Sequence, residues 1–205
     1  MTEDSRTILR EYYDAASSHY LDRSSKGVMG WMRNRELKLT MEMIPRHGQG
    51  TALDVGCGPG YYSQVLGKRG FDLTAVDISP EMVRIVRDLG FPAEVMDIEH
   101  SEPPAALAIP FDFLFCAGVA EFAEDRSKFF GSLRRIIREG GELVLVAPHA
   151  GAFAFFYRRY LESKGIPAQT YTRQSISADL RRAGFEPVEM RVAWPICLAV
   201  RAKAV

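Results

Sequence analysis

The 205 residues suffice for one domain with a small appended element, and at this length about 70% of the unfolded surface can be buried without staples. Hydrophobic residues make up 47% and charged ones 25%, an ordinary globular balance that excludes a disordered chain. The formal net charge of +0 removes any global basic field for nucleic acid or an anionic membrane, and no apolar run approaches the ~18 residues of a membrane span.

Met1-Thr2-Glu3-Asp4-Ser5 is acidic and polar where a secretion signal would be basic and then apolar. The odd cysteine count, with Cys57, Cys116 and Cys197 in or beside apolar runs, points to free thiols in a reducing compartment. No pair of them has zinc-site spacing and the histidines are scattered, so no metal is expected. These features together predict a soluble, cytoplasmic protein.

Two helices are predicted before Thr51, about Arg6 to His19 and Gly30 to Ile44, joined by Ser24-Ser25-Lys26-Gly27. Residues 1–50 would form an N-terminal helical cap on a domain spanning 51–205. From Thr51 onward, short apolar runs alternate with helix-period segments, the pattern of a parallel sheet covered by helices. Ala52–Gly56 is the first strand, and Tyr61–Arg69 a helix stopped by Gly70. Leu73–Ile78 is the second strand, after which Ser79-Pro80-Glu81 supplies an N-cap, a first-turn proline and an early acid.

Ala93–Ile98 reads as the third strand, followed by a proline-containing stretch, Glu102–Pro110, too poor in helix formers for a regular crossover. Phe111–Ala117 is the fourth strand. Asp125 caps a helix with Phe129, Leu133, Ile136 and Ile137 at helical spacing, ended by Gly140-Gly141, and Glu142–Ala147 is an apolar fifth strand. An aromatic helical insert follows at about 151–171, carrying Phe153, Phe155, Phe156, Tyr157 and Tyr160. Thr172 or Ser175 caps a last helix to Ala183, and Phe185–Ala193 with Ile196–Ala202 form a terminal antiparallel hairpin around Trp194-Pro195.

A turn with Gly56, Gly58 and Gly60 after the first strand lets the backbone pass close to a nucleotide-like ligand. The GxGxG spacing differs from the GxGxxG of dinucleotide folds, and no P-loop lysine follows. Asp54 precedes the loop, Asp77 ends the second strand and Asp97 the third. Each acid alone reads as a cap or surface carboxylate. Three at successive strand ends surround a cationic ligand better than an anionic one.

LDVGCGPG (Leu53–Gly60), AVDIS (Ala75–Ser79), MDIE (Met96–Glu99) and GGELVLVAP (Gly140–Pro148) resemble the ordered motifs of class I S-adenosylmethionine-dependent methyltransferases. The resemblance spans roughly residues 51–205. It implies a Rossmann-like α/β fold with a seven-stranded sheet in the order 3-2-1-4-5-7-6, strand seven antiparallel. It also implies S-adenosylmethionine as cofactor, with Gly56 and Gly58 near the methionine moiety, Asp54 ordering the loop, Asp77 at the ribose hydroxyls, Asp97 and Ile98 at the adenine edge, and Gly60, Ile78 and Ala117 also among the cofactor-binding residues.

Methyl transfer from a sulfonium is an in-line displacement, so alignment is the main requirement and a base is optional. The segment after strand four lacks the Asn or Asp followed by Pro-Pro-aromatic that marks many amino-methylating enzymes of DNA and protein, which favours a small-molecule acceptor. Glu121 and His149 are the candidate bases, each against a structural reading as rim or capping residue. Tyr12, Tyr13, His19 and Tyr20 in the cap, with Phe153 and Tyr157 in the insert, are candidates for a lid over a hydrophobic or aromatic acceptor; equally, they are simply packed. A non-catalytic cofactor-binding module, or a nicotinamide-dependent oxidoreductase on the same fold, are the competing functions.

Overall fold

The computed structural model describes residues 3–16, 27–107, 110–193 and 197–205. Two helices, α1 (Glu3–Ala16) and α2 (Gly27–Met43), precede an alternation of strands and helices. That alternation comprises β1 (Thr51–Val55), α3 (Tyr61–Lys68), β2 (Asp72–Asp77), α4 (Pro80–Asp88), β3 (Ala93–Val95) and β4 (Phe111–Ala117). It continues through α5 (Arg126–Ile136), β5 (Ile137–Pro148), α6 (Ala152–Glu162), α7 (Arg173–Arg182), β6 (Phe185–Ala193) and β7 (Cys197–Ala204).

The strands form one sheet in the order β3-β2-β1-β4-β5-β7-β6. β1, β2, β3, β4 and β5 pair in parallel, while β7 runs antiparallel to both β5 and β6. This is the order and the reversed strand that the motif resemblance implies. The Trp194-Pro195 link of the hairpin lies outside the described residues.

Strand alternation divides the core between the two faces of the sheet. Leu53, Val55, Leu114, Leu143, Leu145 and Leu198 meet Phe129, Leu133 and Ile136 of α5 and Ile176 and Leu180 of α7. Ala52, Phe113, Phe115, Val144 and Val146 meet Met43 of α2 and Tyr62 and Leu66 of α3. α4 covers Ala75 and Ala93 through Val83 and Val86. The central strands, buried from both sides, therefore read as continuous apolar runs.

The predicted caps are in place. Ser79 accepts from the Met82 amide with Pro80 at the first helical position, and Asp125 accepts from Ser127 and Lys128. Thr172 and Ser175 form a reciprocal capping box on α7.

Several element ends shift by a few residues, α2 for one starting at Gly27 rather than Gly30, and two of the shifts have a visible cause. β3 ends at Val95 instead of Ile98, because the Asp97 carboxylate accepts from the amides of Glu99 (3.0 Å) and His100 (3.3 Å) and turns the chain off the ladder. α5 stops at Ile136 rather than at the glycine pair, and Ile137 opens β5 by pairing with Phe111. The next ladder pair is Phe113 with Glu142, so residues between bulge out. Gly140 takes φ 71°, and a Cβ on Gly141 would lie 3.0 Å from the carbonyl oxygens of both Arg138 and Asp112. The glycine pair thus serves a bulge inside the strand, not a helix stop.

Candidate functional site

The loop between β1 and α3 is built on three positive-φ glycines, Gly56 (70°), Gly58 (50°) and Gly60 (81°). The amides of Gly56 and Cys57 both donate to the Val76 carbonyl, at 2.8 and 3.0 Å, which clamps the turn to β2. A Cβ on Gly56 would come within 2.1 Å of Val119 Cγ2, whereas one on Gly58 would meet nothing within 4 Å. Gly56 is thus needed for close packing and Gly58 leaves open space.

That space belongs to a cleft of about 760 Å³, its mouth included, at the carboxyl ends of β1, β2, β3 and β4. Gly56, Gly58, Asp77, Ile78, Asp97, Ile98 and Ala117 all line it. Asp54 and Gly60 stand behind the wall. Asp54 is buried and accepts from the Ser63 hydroxyl at 2.6 Å, tying β1 to α3, and burial pushes its carboxyl up to about 7. Gly60 is the left-handed residue that starts α3.

Asp77 accepts from the Gly58 amide through one oxygen and from the Ser79 amide through the other, each at 2.9 Å. Desolvation still raises its pKa above the ordinary carboxylate value. Both oxygens retain lone pairs for a bound donor.

Sequence reasoning gave no cleft role to Arg6, Leu9, Met82 or Phe129, which also line the cleft, while Val119 and Phe122 fall in the segment after strand four and Glu99 in the third-strand motif that it singled out. Arg6 reaches from α1 to Asp97 at 2.9 Å, Glu99 at 2.7 Å and Glu124 at 2.8 Å. Glu99, buried, also accepts from the amides of Glu124 (2.9 Å) and Asp125 (2.7 Å), joining the loop after β3 to the start of α5. At its other end α1 is held by Asp14, which accepts from the Ser79 hydroxyl. Arg6, Leu9 and Tyr13 all face the cleft, a spacing of three and four residues on one helix face that the sequence displays.

The acceptor candidates divide. Tyr13 lines the cleft and packs edge-on against Phe122 at 5.9 Å, with Tyr12 edge-on to Tyr13 at 5.4 Å. Tyr12 and Tyr157 pack against a small core with Leu9, Phe122, Leu161 and Ile166. Phe153 is exposed on α6. His149 makes an isolated parallel bridge with Tyr171 and is not among the residues lining the cleft. His19 and Tyr20 lie outside the described residues. Glu121 occupies a 3₁₀ turn at 120–122, is 4% exposed, and stands beside the cleft rather than in its wall.

Residues 53–145 match the family model described as a methyltransferase domain. That stretch is just under half of the chain, and the strand order around it is the one its solved structural neighbours share as class I methyltransferases. Among similar proteins is the ubiquinone biosynthesis O-methyltransferase of Xylella fastidiosa, 27% identical over 155 residues, covering 64% of this chain and 61% of the relative. That of Xanthomonas oryzae pv. oryzae is 31% identical over 127 residues, 58% of this chain and 53% of the relative. The chain thus spans between half and two thirds of these relatives' length.

Solved methyltransferases share the fold. Magnesium protoporphyrin IX methyltransferase from Synechocystis, with bound S-adenosylhomocysteine, superposes with a TM-score of 0.75 at 16% identity, over 97% of this chain and 99% of that one. The 1,6-didemethyltoxoflavin-N1-methyltransferase of Burkholderia thailandensis superposes at 0.72 and 15% identity, over 100% and 91%. Three of the four motifs, Leu53–Gly60, Ala75–Ser79 and Met96–Glu99, converge on one cleft at the carboxyl edge where open α/β sheets receive ligands, while Gly140–Pro148 forms β5 without lining it.

Proposed function

We propose that the protein is an S-adenosylmethionine-dependent methyltransferase acting on a small molecule. The observation that carries the reading is Asp77, a buried carboxylate in the cleft wall fixed by the amides of Ser79 and of Gly58, whose open face adjoins it. A ribose diol is the donor pair that such a carboxylate accepts, and the two hydroxyls would offset its desolvation. Ile78, Ile98 and Met82 supply apolar walls for an adenine, while Asp97 and Glu99 bring negative charge that Arg6 only partly balances. The excess of carboxylates suits a ligand bearing ammonium and sulfonium groups. Relatives named as O-methyltransferases, and neighbours solved with S-adenosylhomocysteine, support the same cofactor.

When bound, the cofactor supplies an electrophilic methyl group on a good leaving group. The protein's own residues then bind and orient. α1, pinned at Arg6 and Asp14, acts as a cover that keeps water from the cleft, and Tyr13 with Phe122 and Val119 gives the acceptor side an apolar surface. Cytoplasmic residence fits the free, buried thiols of Cys57, Cys116 and Cys197. Among the described residues, no helix is long and apolar enough to cross a membrane.

Calorimetric titration with S-adenosylhomocysteine tests the reading, and an absence of binding to the wild-type chain overturns it. Asp77→Ala should weaken that binding by about 100-fold, the worth of two hydrogen bonds to a charged acceptor, with the fold retained by circular dichroism.

A further inference from the structure

The aromatic helix α6 turns rings both inward and outward. On its inner side Leu161 and Tyr157 join the small core that Leu9, Phe122 and Ile166 complete, and Ala154 is buried. On its outer side Phe155, Phe156, Arg159 and Tyr160 recur at i, i+1, i+4 and i+5, which at 3.6 residues per turn gathers them into an arc of about 140°. All three rings are more than half exposed, and Phe155 meets Phe156 edge-on at 5.7 Å. A surface helix ordinarily turns charge to water, so a row of exposed rings is a contact surface awaiting its partner.

The cations around the rings decide what that partner is. Arg158 lies over the Phe155 ring and Lys164 over the Tyr160 ring, each at 5.9 Å, and Arg159 stands within the aromatic arc. Residues 152–165 set one acid against these three cations: Glu162, which Arg158 and Arg159 share at 3.4 and 3.3 Å. The chain's formal net charge is +0, so this positive surplus is local and the remainder of the molecule is correspondingly negative. An anionic surface therefore attracts α6 and repels the rest, which fixes the orientation of approach. A second copy fits poorly, because a twofold axis through the patch sets like charges opposite one another with the one acid already shared.

We propose that the outer face of α6 docks on an anionic lipid bilayer, with Phe155 and Phe156 entering the headgroup layer and Arg159 and Lys164 meeting lipid phosphates. Tyr160 keeps its hydroxyl at the water boundary while its ring lies among the headgroups, and the long stems of Arg159 and Lys164 carry their charges out to the phosphates. Binding of this kind is peripheral: an 11-residue helix is about 16 Å long and lies in the interface without crossing it. The inference stands on α6 alone and does not depend on the cofactor reading. It does bear on the cleft, since Leu9 and Phe122, which pack against the inner side of α6, line it. Docking places the lipid across one helix, ~10 Å, from that wall.

The test is co-sedimentation of the full chain with extruded phosphatidylcholine vesicles, with and without about 30% phosphatidylglycerol, in low salt. Anionic vesicles should bind at least about fivefold more tightly than neutral ones, and about 0.5 M salt should remove the difference. Phe156→Ser and Arg159→Ala should each weaken that binding about fivefold, while S-adenosylhomocysteine affinity and the circular dichroism stay unchanged. No binding to anionic vesicles, equal binding to neutral ones, or full binding by Phe156→Ser overturns the proposal. So does a concentration-dependent dimer in sedimentation equilibrium that Phe156→Ser dissolves, for the face then belongs to a second copy. Failure of S-adenosylhomocysteine to bind the wild-type chain instead overturns the cofactor reading and leaves the vesicle result standing.

Discussion

Beneath the glycine loop every cleft carboxylate is held by the backbone: Asp77 by the Gly58 and Ser79 amides, Asp97 by those of Glu99 and His100, Glu99 by those of Glu124 and Asp125. Beside Gly118, the buried Glu121 has one carboxyl oxygen, Oε2, without a hydrogen-bond partner among the described residues. The first region is preorganised for one ligand whose shape is fixed, so its polar groups are aimed before the ligand arrives. The second is a desolvated carboxyl whose charge state burial decides first.

The sharpest way to break the first region is at Gly56. Gly56→Ala forces a left-handed alanine and drives its methyl into Val119, so a loss of about 3 kcal/mol in stability is expected by denaturant unfolding. Gly58→Ala pays the backbone term alone, about 1 kcal/mol, yet its methyl enters the cleft and should weaken S-adenosylhomocysteine binding more than it weakens the fold. Equal stability of the two variants would contradict the close approach of Val119 to the loop.

Titration separates the regions next. The folded-state pKa values of Glu121 and Asp54 are raised, to about 8 and about 7, above ordinary values of 4.5 and 3.8. Groups raised in the folded state favour folding while protonated, so their contribution is complete below pH ~4 and is lost as pH climbs through the folded values. At roughly 1.4 kcal/mol per pKa unit the burden of each is several kcal/mol. Ligand-free wild type should therefore lose stability steadily from about pH 5 to about pH 8.5. In Glu121→Gln the loss should flatten, most visibly above pH 7, with a gain over wild type that grows with pH. A pH-independent difference between the two proteins would show that Glu121 is already ionised in the fold.

Arg6→Ala carries the comparison to the cover. It leaves Asp97, Glu99 and Glu124 facing one another without their shared cation, and about 2 kcal/mol should be lost. Because the guanidinium is 18% exposed, salt near 1 M should shrink that loss. Insensitivity to salt would mean that α1 is held by its apolar face alone.

The sequence exposes the first region because that region is local. Gly56, Gly58 and Gly60 sit within five residues, Asp77 terminates an apolar run, and Ser79-Pro80 announces the next helix, so spacing and caps suffice. The second region and the cover depend on distance along the chain. Arg6 meets Glu99 across 93 residues and Glu124 across 118, and nothing near Arg6 records those partners. Glu121 is legible as a residue type after β4, but the burial that leaves one of its oxygens unmet comes only with the packed fold. At β5 the glycine pair has two meanings in sequence, helix stop or bulge, and pairing of Ile137 with Phe111 decides between them.

The smallest expected effect concerns the aromatic insert, which the sequence offers as a wall for the acceptor. Phe156 is 69% exposed on α6, while Tyr157 beside it packs with Tyr12, Tyr13 and Phe122 under the cover. Phe156→Ser should change stability by less than about 0.5 kcal/mol, because an exposed ring has little contact to lose. It should also leave S-adenosylhomocysteine affinity unaltered, whereas Tyr157→Ser removes surface that supports Phe122 in the cleft wall and should lower both. If Phe156→Ser alone reduced that affinity, the outer face of α6 would be part of the ligand site after all.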